Sequence, residues 1–360
     1  MKIGIIGLPL VGKTTLFNLL TQAEAETSKF YSGRTEANHG MARVPDERID
    51  WLSAQFKPRK TIYAQIEVTD LPGLTHNAEG GTGNPFLANI RTVDALVHVV
   101  RAFSSSEIEH VEGNLNPIRD IDTVNSELLL ADLDLIERRI ERIKSGKKVI
   151  PEQKIEMDAL QKCYDALEKE LPLTTVTLTD AEAATLQHYE FFTEKPQLVV
   201  INVDEGQFKA NDYPQKQEIE AMLKEKGIPV LVLCAQTERE IAELPSEDRE
   251  LFMADLGIEQ PGTYRLARSM YDLLGLISFF TVGEDEVRAW TIKKGLDAKR
   301  ASGKIHSDLE RGFIRAEVVS YDALRENGSM AKCKEKGVFR LEGKDYIVKD
   351  GDILNIRFNV

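Results

Sequence analysis

Cysteine is scarce in this chain, with three residues in 360, Cys163, Cys234 and Cys333, far apart and without CxxC spacing. Their scarcity excludes a disulfide framework and offers no zinc-ligand pattern. Long apolar runs are missing as well: none approaches the roughly 20 residues that a bilayer-spanning helix needs. Residues 1–20 hold a glycine-containing loop where a secretory signal would sit. The chain is therefore expected to be cytoplasmic, with no membrane partner. Positive charge is in deficit, the formal net charge being −13. That argues against a uniformly basic nucleic-acid binder, so no DNA partner is expected, but it leaves room for a local basic patch. No internal repeat or low-complexity stretch is visible. What remains, 42% apolar and 29% charged residues, is a globular composition, in a chain long enough for two or three domains and with ample core for at least one large one.

Residues Gly7-Leu8-Pro9-Leu10-Val11-Gly12-Lys13-Thr14-Thr15 complete the pattern GxxxxGK[ST] directly after an apolar strand at 3–6. The glycines let the backbone curl until several N–H groups face one anion, and the helix opening at Lys13 adds the positive end of its dipole. Lys13 then neutralises β- and γ-phosphate charge and the Thr14 hydroxyl ligates Mg²⁺, so the chain reads as a binder of nucleoside triphosphate. Asp70-Leu71-Pro72-Gly73 closes an apolar stretch at 62–69. There Asp70 can hold Mg²⁺ through water and the Gly73 N–H can sense the γ-phosphate. DxxG alone is a weak signal, but its place at a strand's carboxyl end strengthens it. Between these motifs Thr35 lies in an aperiodic segment, which suits a switch loop that joins the Mg²⁺ shell only when triphosphate is present.

Short apolar runs at 3–6, 62–69, 95–100, 198–202 and 230–234, separated by helical or loop stretches, predict a buried, mainly parallel sheet in a doubly wound α/β domain. Between the third and fourth runs, Leu129, Leu133, Ile136, Ile140 and Ile143 recur at steps of four and three. A second seam follows through Leu160, Tyr164, Leu167 and Leu171. Two such helices joined by a short polar turn predict an inserted antiparallel coiled-coil hairpin. From about residue 277 the pattern changes to short strands and turns, as in a small β-rich α+β module, with strands expected at 278–282, 312–319, 337–340 and 353–358.

Asn202-Val203-Asp204-Glu205 ends the 198–202 run, where guanine-specific proteins of this kind carry Asn-Lys-x-Asp. In that motif a terminal Asp accepts from guanine N1–H and its 2-amino group. Glu205 is one methylene too long for a pairing that tolerates little displacement, which moves the expected base from guanine towards adenine. The adenine 6-amino group would donate to Asn202 or a backbone carbonyl, Val203 would pack on the purine, and Cys234-Ala235-Gln236 would form a third wall.

The chain resembles the YchF family, the Obg-like ATPases within the Obg branch of P-loop GTPases. Beyond the loops above, the likeness rests on Val44-Pro45-Asp46-Glu47-Arg48, His110-Val111-Glu112-Gly113, Asn116-Pro117-Ile118-Arg119-Asp120, Phe279-Phe280-Thr281-Val282-Gly283, Lys304-Ile305-His306-Ser307-Asp308, Gly312-Phe313-Ile314-Arg315-Ala316-Glu317 and Asp345-Tyr346-Ile347-Val348. The resemblance implies a nucleotide domain at 1–122 and 194–275, a coiled-coil insertion at 123–193 and a β-grasp TGS domain at 276–360. It assigns Leu10, Val11, Gly12, Lys13, Thr14 and Thr15 to the phosphates, Thr14 and Thr35 to Mg²⁺ and Val203 to the base. It implies ATP as substrate and the ribosome, through its large subunit, as partner, in regulation of translation or of a stress response. Leu10 stands where the family usually has Asn, Asp70-Leu71-Pro72-Gly73 replaces the commoner Asp-Ile-Ala-Gly, and the loop at 75–83 is about two residues shorter.

Hydrolysis is expected to be slow. The position after DxxG, which holds a water-orienting Gln in Ras-type enzymes, is Leu74, and a hydrocarbon side chain orients no water. His76, two residues on, is a candidate substitute, although a loop histidine is ordinarily solvated. Lys13, Asp70 and Gly73 remain the catalytic candidates. Residues 138–154 carry seven basic side chains, Arg138, Arg139, Arg142, Lys144, Lys147, Lys148 and Lys154, against Glu141 and Glu152. Such a tip suits ribosomal RNA, with the TGS domain as a second contact, and equally suits an ordinary solvated hairpin end. A GTP-hydrolysing translation factor of the same fold is the alternative; a metabolic kinase is more remote, since no acceptor pocket or further base is legible.

Overall fold

The structure, a computed structural model, describes residues 1–27, 36–74, 85–146, 149–171 and 173–359. Its strands in chain order are β1 (Lys2–Ile6), β2 (Asn38–Arg43), β3 (Lys60–Ile62), β4 (Gln65–Asp70), β5 (Ala95–Arg101), β6 (Gln197–Asn202), β7 (Val230–Leu233), β8 (Leu276–Val282), β9 (Glu286–Lys293), β10 (Phe313–Ser320), β11 (Arg340–Glu342) and β12 (Asp352–Phe358). They form two six-stranded sheets. The chain divides into two compact units, Met1–Gly40 with Glu67–Thr263, and Met41–Ile66 with Tyr264–Val360. No helix among the described residues is long and apolar enough to cross a membrane.

The first sheet has the order β2-β4-β1-β5-β6-β7, and β1, β4, β5, β6 and β7 run parallel. The order reverses about β1, where doubly wound sheets open a ligand crevice beyond the strand carboxyl ends. Ile3, Ile5, Ile6, Val97, Val99, Val199 and Ile201 are fully buried, which is why these strands read as continuous β-branched runs. The register sets Asp70 opposite Ile5, and Asn202 opposite both Arg101 and Leu233, so the motif-bearing strand ends share one edge. The run at 62–69 is not one strand. It parts at Tyr63 and Ala64 into β3 of the second sheet and β4 of the first, because Ala64 O turns aside to accept from Val44 N at 2.8 Å.

The α-helices up to residue 243, in the same order, are α1 (Lys13–Thr21), α2 (Glu47–Phe56), α3 (Pro85–Arg91), α4 (Pro117–Lys144), α5 (Pro151–Leu167), α6 (Asp180–Leu186), α7 (Glu205–Ala210), α8 (Lys216–Glu225) and α9 (Ala235–Glu243), and further helices follow. Asn116 caps α4 through the Arg119 N–H, and Pro117 takes the first turn, where its missing donor costs nothing. α4 and α5 run antiparallel, burying Ile136, Ile140, Ala159, Leu160, Cys163 and Leu167 together. Leu171 is 47% exposed and lies beyond α5, so Ala159 and Cys163 complete the second seam in its place. Arg139 Nε and Nη2 donate to the two Glu156 oxygens at 2.8 and 2.9 Å. Midway along α4, buried Asp132 accepts from Phe192 N, Thr193 N and Thr193 Oγ1 at 2.8 to 3.0 Å. Those bonds lock the returning chain, although burial still pushes the Asp132 carboxyl up.

The second sheet has the order β11-β10-β12-β8-β9-β3. Its core gathers Phe279, Trp290, Ile292, Ala316, Val318 and Leu354 beneath a helix at Ala298–Ile305. β9, absent from the sequence reading, pairs antiparallel with β8 along its whole length; its buried Val287, Ala289 and Ile292 alternate imperfectly because Trp290 is buried beside Ala289. The strand expected at 337–340 is β11, which starts three residues later and ends two residues later, at Arg340–Glu342.

Candidate functional site

The phosphate loop leaves β1 with Gly7 at φ 141° and returns through Gly12 at φ 101°. A β-carbon on Gly7 would collide with the Val99 carbonyl, and one on Gly12 with the Asn202 amide nitrogen, so both positions require glycine. Leu10, at φ 63°, is a third left-handed residue that the motif did not announce. α1 opens at Lys13 without a side-chain cap, which leaves its first N–H groups for an anion. Thr15 follows in its first turn, half-buried. Lys13 is buried, and its Nζ donates to Leu8 O at 2.7 Å and Gly7 O at 3.2 Å. Those carbonyls hold the ammonium over the loop, where a phosphate oxygen would compete for it.

Thr14 Oγ1 donates to Asp70 Oδ2 at 2.8 Å, and Asp70 is 1% exposed. A hydroxyl and a carboxylate at hydrogen-bond distance beside a phosphate-binding loop are hard oxygen donors of the kind Mg²⁺ takes alongside water and phosphate. Among the described residues no group of three or more His, Cys, Asp or Glu side chains could hold a metal, so an all-protein cage is not what is offered. Asn38 reaches Asp70 Oδ2 at 3.5 Å, and His39 Nδ1 meets Thr69 Oγ1 at 3.0 Å. Gly73 lies so close to Pro9 that a β-carbon would approach Pro9 N to 2.9 Å. Leu74 is buried and its N–H donates to Gly7 O at 3.3 Å. Thr35, His76 and the loop at 75–83 lie outside the described residues.

His98 is the titratable group that sequence reading missed. It interrupts the apolar run of β5, is 1% exposed, and meets Gln197 Nε2 at 3.2 Å. Burial, and then the Lys13 charge, take its pKa down to about 3. The ring therefore stays neutral near neutrality and adds no second cation beneath the loop.

Among the residues expected to face the base, Asn202 is engaged within the chain: Nδ2 donates to Val11 O at 2.9 Å and Oδ1 accepts from Ala235 N at 3.0 Å. It ties the phosphate loop to β6 and to the start of α9, which makes it a positioning group. Val203 and Ala235 are buried beside it. Asp204 caps α7 through the Gln207 N–H at 2.9 Å. The Glu205 carboxylate is about half exposed and paired at 2.6 Å with Lys209 one turn on. Two neighbours carried no sequence signal. Phe103 N donates to Asn202 O at 3.2 Å, and Gln207 Nε2 donates to Ala102 O at 2.9 Å, joining the ends of β5 and β6. A cleft of about 500 Å³ adjoins Phe103, with Arg101, Ser105 and His110 on its walls.

Of the basic residues at 138–154, Arg139 is held by Glu156 and Arg138 by Asp134 at 2.7 Å. Arg142, Lys144 and Lys154 are exposed, and Lys147 and Lys148 lie outside the described residues.

A family model for the C-terminal region of YchF GTPases, described as a protein of unknown function, matches residues 276–359, and one described as a 50S ribosome-binding GTPase matches residues 2–131. The chain is 45% identical over 364 residues to the ribosome-binding ATPase YchF of Bacillus subtilis strain 168, covering 99% of each. It is 45% identical over 363 residues to the protein of that name from Escherichia coli O157:H7, covering 100% of this chain and 99% of the relative. The solved structure of the Schizosaccharomyces pombe YchF GTPase matches with a TM-score of 0.86 at 30% identity, over 99% of this chain and 97% of that one.

Proposed function

Because the chain belongs to the YchF family of P-loop proteins, we propose that it is a slow, Mg²⁺-dependent ATPase that associates with the ribosome and switches with its nucleotide state. The observation that carries the reading is the joint placement of Lys13, Thr14 and Asp70 at the carboxyl edge of one sheet, with the uncapped α1 beside them. Thr14 and Asp70, joined by Thr35, would hold Mg²⁺, which supplies charge neutralisation across the β- and γ-phosphates.

The chain's own residues do the rest. Lys13 exchanges its two carbonyl partners for phosphate oxygens, and the N–H groups of Leu10 to Thr15 surround the phosphates as preorganised dipoles. Water attacks the γ-phosphorus in line as the bond from that phosphorus to the β,γ-bridging oxygen breaks, so that ADP leaves with the bridging oxygen and the water's proton is released with inorganic phosphate; Gly73 N–H reports the γ-phosphate to the loop that follows β4. No polar side chain stands at position 74, since buried Leu74 occupies it, so the attacking water lacks an orienting partner there and turnover is slow. Adenine is favoured because the carboxylate that would read guanine is paired with Lys209, and Val203 with nearby backbone carbonyls recognises the base.

The α4–α5 pair, as a coiled-coil arm within 123–193, and the C-terminal unit, as a β-grasp TGS domain within 276–360, are the docking elements for the large ribosomal subunit in the cytoplasm. Parallel calorimetric titrations with ATP and GTP test the choice of base. ATP is expected to bind more tightly; tighter binding of GTP overturns that choice in favour of a GTP-hydrolysing translation factor.

A further inference from the structure

The stretch of chain between the two nucleotide-sensing loops is not part of the nucleotide unit. β2 begins shortly after Thr35 and β4 ends at Asp70, yet residues 41–66 belong with the C-terminal residues 264–360. Within that unit the stretch is fixed at several independent points. β3 forms an edge of the second sheet, with Lys60, Thr61 and Ile62 opposite Glu286, Val287 and Arg288 of β9. On α2, Trp51 meets Tyr321 edge-on with ring centroids 5.5 Å apart, and Gln55 Nε2 donates to Gly328 O at 3.0 Å.

The most directional tie is Arg48. Its Nη1 and Nη2 donate to Asp350 Oδ2 and Oδ1 at 2.8 and 3.2 Å, while Nε and Nη2 donate to Asp46 at 2.8 to 3.2 Å. Asp350 also accepts from Ser278 N at 2.9 Å, which carries the tie into β8. Fork-to-carboxylate pairs of this kind fix orientation as well as distance. The neck of the strap is clasped where β2 ends and β4 begins: Val44 N donates to Ala64 O at 2.8 Å, and the Arg43 guanidinium lies 3.1 Å from the centre of the Tyr63 ring. One closed loop thus has its ends in the strands that carry Asn38 and Asp70, and its body in the sheet of the other unit.

We propose that Arg48 and Asp350 are positioning residues for nucleotide-state switching. By pinning the 41–66 strap to β8 and β9, they make the second sheet respond to the γ-phosphate sensed at the outer ends of β2 and β4. The inference rests on the ATP-binding reading above. By linkage, a partner that binds the C-terminal unit then alters triphosphate affinity by the factor with which triphosphate alters partner affinity.

The test is amide hydrogen exchange on the full chain with a non-hydrolysable ATP analogue and Mg²⁺, against ADP and Mg²⁺. Peptides covering 47–62 and 276–293 are expected to exchange at least about threefold more slowly with the triphosphate. In Arg48→Met and in Asp350→Asn, which keeps an acceptor for Ser278 N, the response at 7–21 persists while that at 276–293 is lost. The double variant is expected to be no worse than either single one if the pair acts as a unit. Arg48→Lys, which keeps the charge but not the fork, is the milder variant should Asp350→Asn fold poorly, and is expected to retain part of the response. A purely structural role would lower stability without separating the two peptide responses. Wild-type exchange at 276–293 that is the same with both nucleotides, or a full response in the variants, overturns the proposal. Loss of any nucleotide response at 7–21 in the wild type instead overturns the ATP-binding reading on which it stands.

Discussion

Leu10 sits in the middle of the phosphate loop at φ 63°, a conformation that costs a residue with a β-carbon about 1–2 kcal/mol and that Asn tolerates better. The loop accepts this strain because its neighbours fix it: Lys13 is bonded to the carbonyls of Gly7 and Leu8, and Val11 O is held by Asn202. Leu10→Asn is therefore expected to stabilise the nucleotide-free protein by about 1 kcal/mol, read as a raised urea midpoint; an unchanged midpoint would mean that lost Leu10 packing cancels the relief. His98 sets a pH limit on the same region. Its folded pKa, about 3, lies below the ordinary 6.5, so between these values the unfolded chain holds the extra proton. Stability from this group is complete above about pH 6.5 and declines as pH falls, by about 1.4 kcal/mol per unit. Urea unfolding of His98→Gln between pH 4 and 6 should show a slope shallower by about that amount, and equal slopes would remove His98 as the cause. At this scale the sequence indicated which motif residues would come together, and Thr14 Oγ1 does meet Asp70 Oδ2 at 2.8 Å. It was less legible at Glu205 and Asn202, because a motif names a residue without saying that Lys209, Val11 or Ala235 has already engaged it.

Asp132 is where one element is anchored to another. A single buried carboxylate accepts two backbone N–H groups and one hydroxyl from Phe192 and Thr193, joining the middle of α4 to the chain returning from α6. Asp132→Ala would leave those donors buried without an acceptor, at a cost of about 3 kcal/mol. Asp132→Asn keeps one acceptor oxygen and should lose about half as much. Urea midpoints with an unchanged slope would support this account, and a negligible effect of the alanine variant would refute it. The helices themselves were readable because an apolar step of three and four persists over α4 and α5, whereas Leu171 extended the seam past the end of its helix. β1, β5 and β6 were readable for a related reason, since strands buried on both faces carry continuous apolar residues, while β7, half-buried at the sheet edge, was readable from its unbroken run Val230–Leu233. β2 was not, because Asn38-His39-Gly40 has little strand preference and pairs only as an edge beside β4. The run at 62–69 merged β3 with β4 because hydrophobicity records burial and not which sheet provides it.

Across the whole molecule the net charge of −13 opposes binding to a polyanion, so association with ribosomal RNA would have to be local and strongly salt-dependent. The 138–154 region supplies the local charge, but less of it than a count of basic residues suggests. Arg138 and Arg139 are already held by Asp134 and Glu156, which leaves Arg142, Lys144, Lys147, Lys148 and Lys154 as candidates for phosphate contacts. Each contact made should contribute roughly −0.7 to −0.9 to the slope of log affinity against log salt. If all five engage, ribosome co-sedimentation between low and physiological salt should follow a slope of about −4. Reversing charge at Lys144, Lys147 and Lys148 should lower affinity at low salt and flatten the slope to about −1 or −2. Arg138→Gln should leave the slope almost unchanged, because that guanidinium is already paired with Asp134. A triple reversal that preserves both affinity and slope would remove this region from the interface and leave ribosome docking to the C-terminal unit.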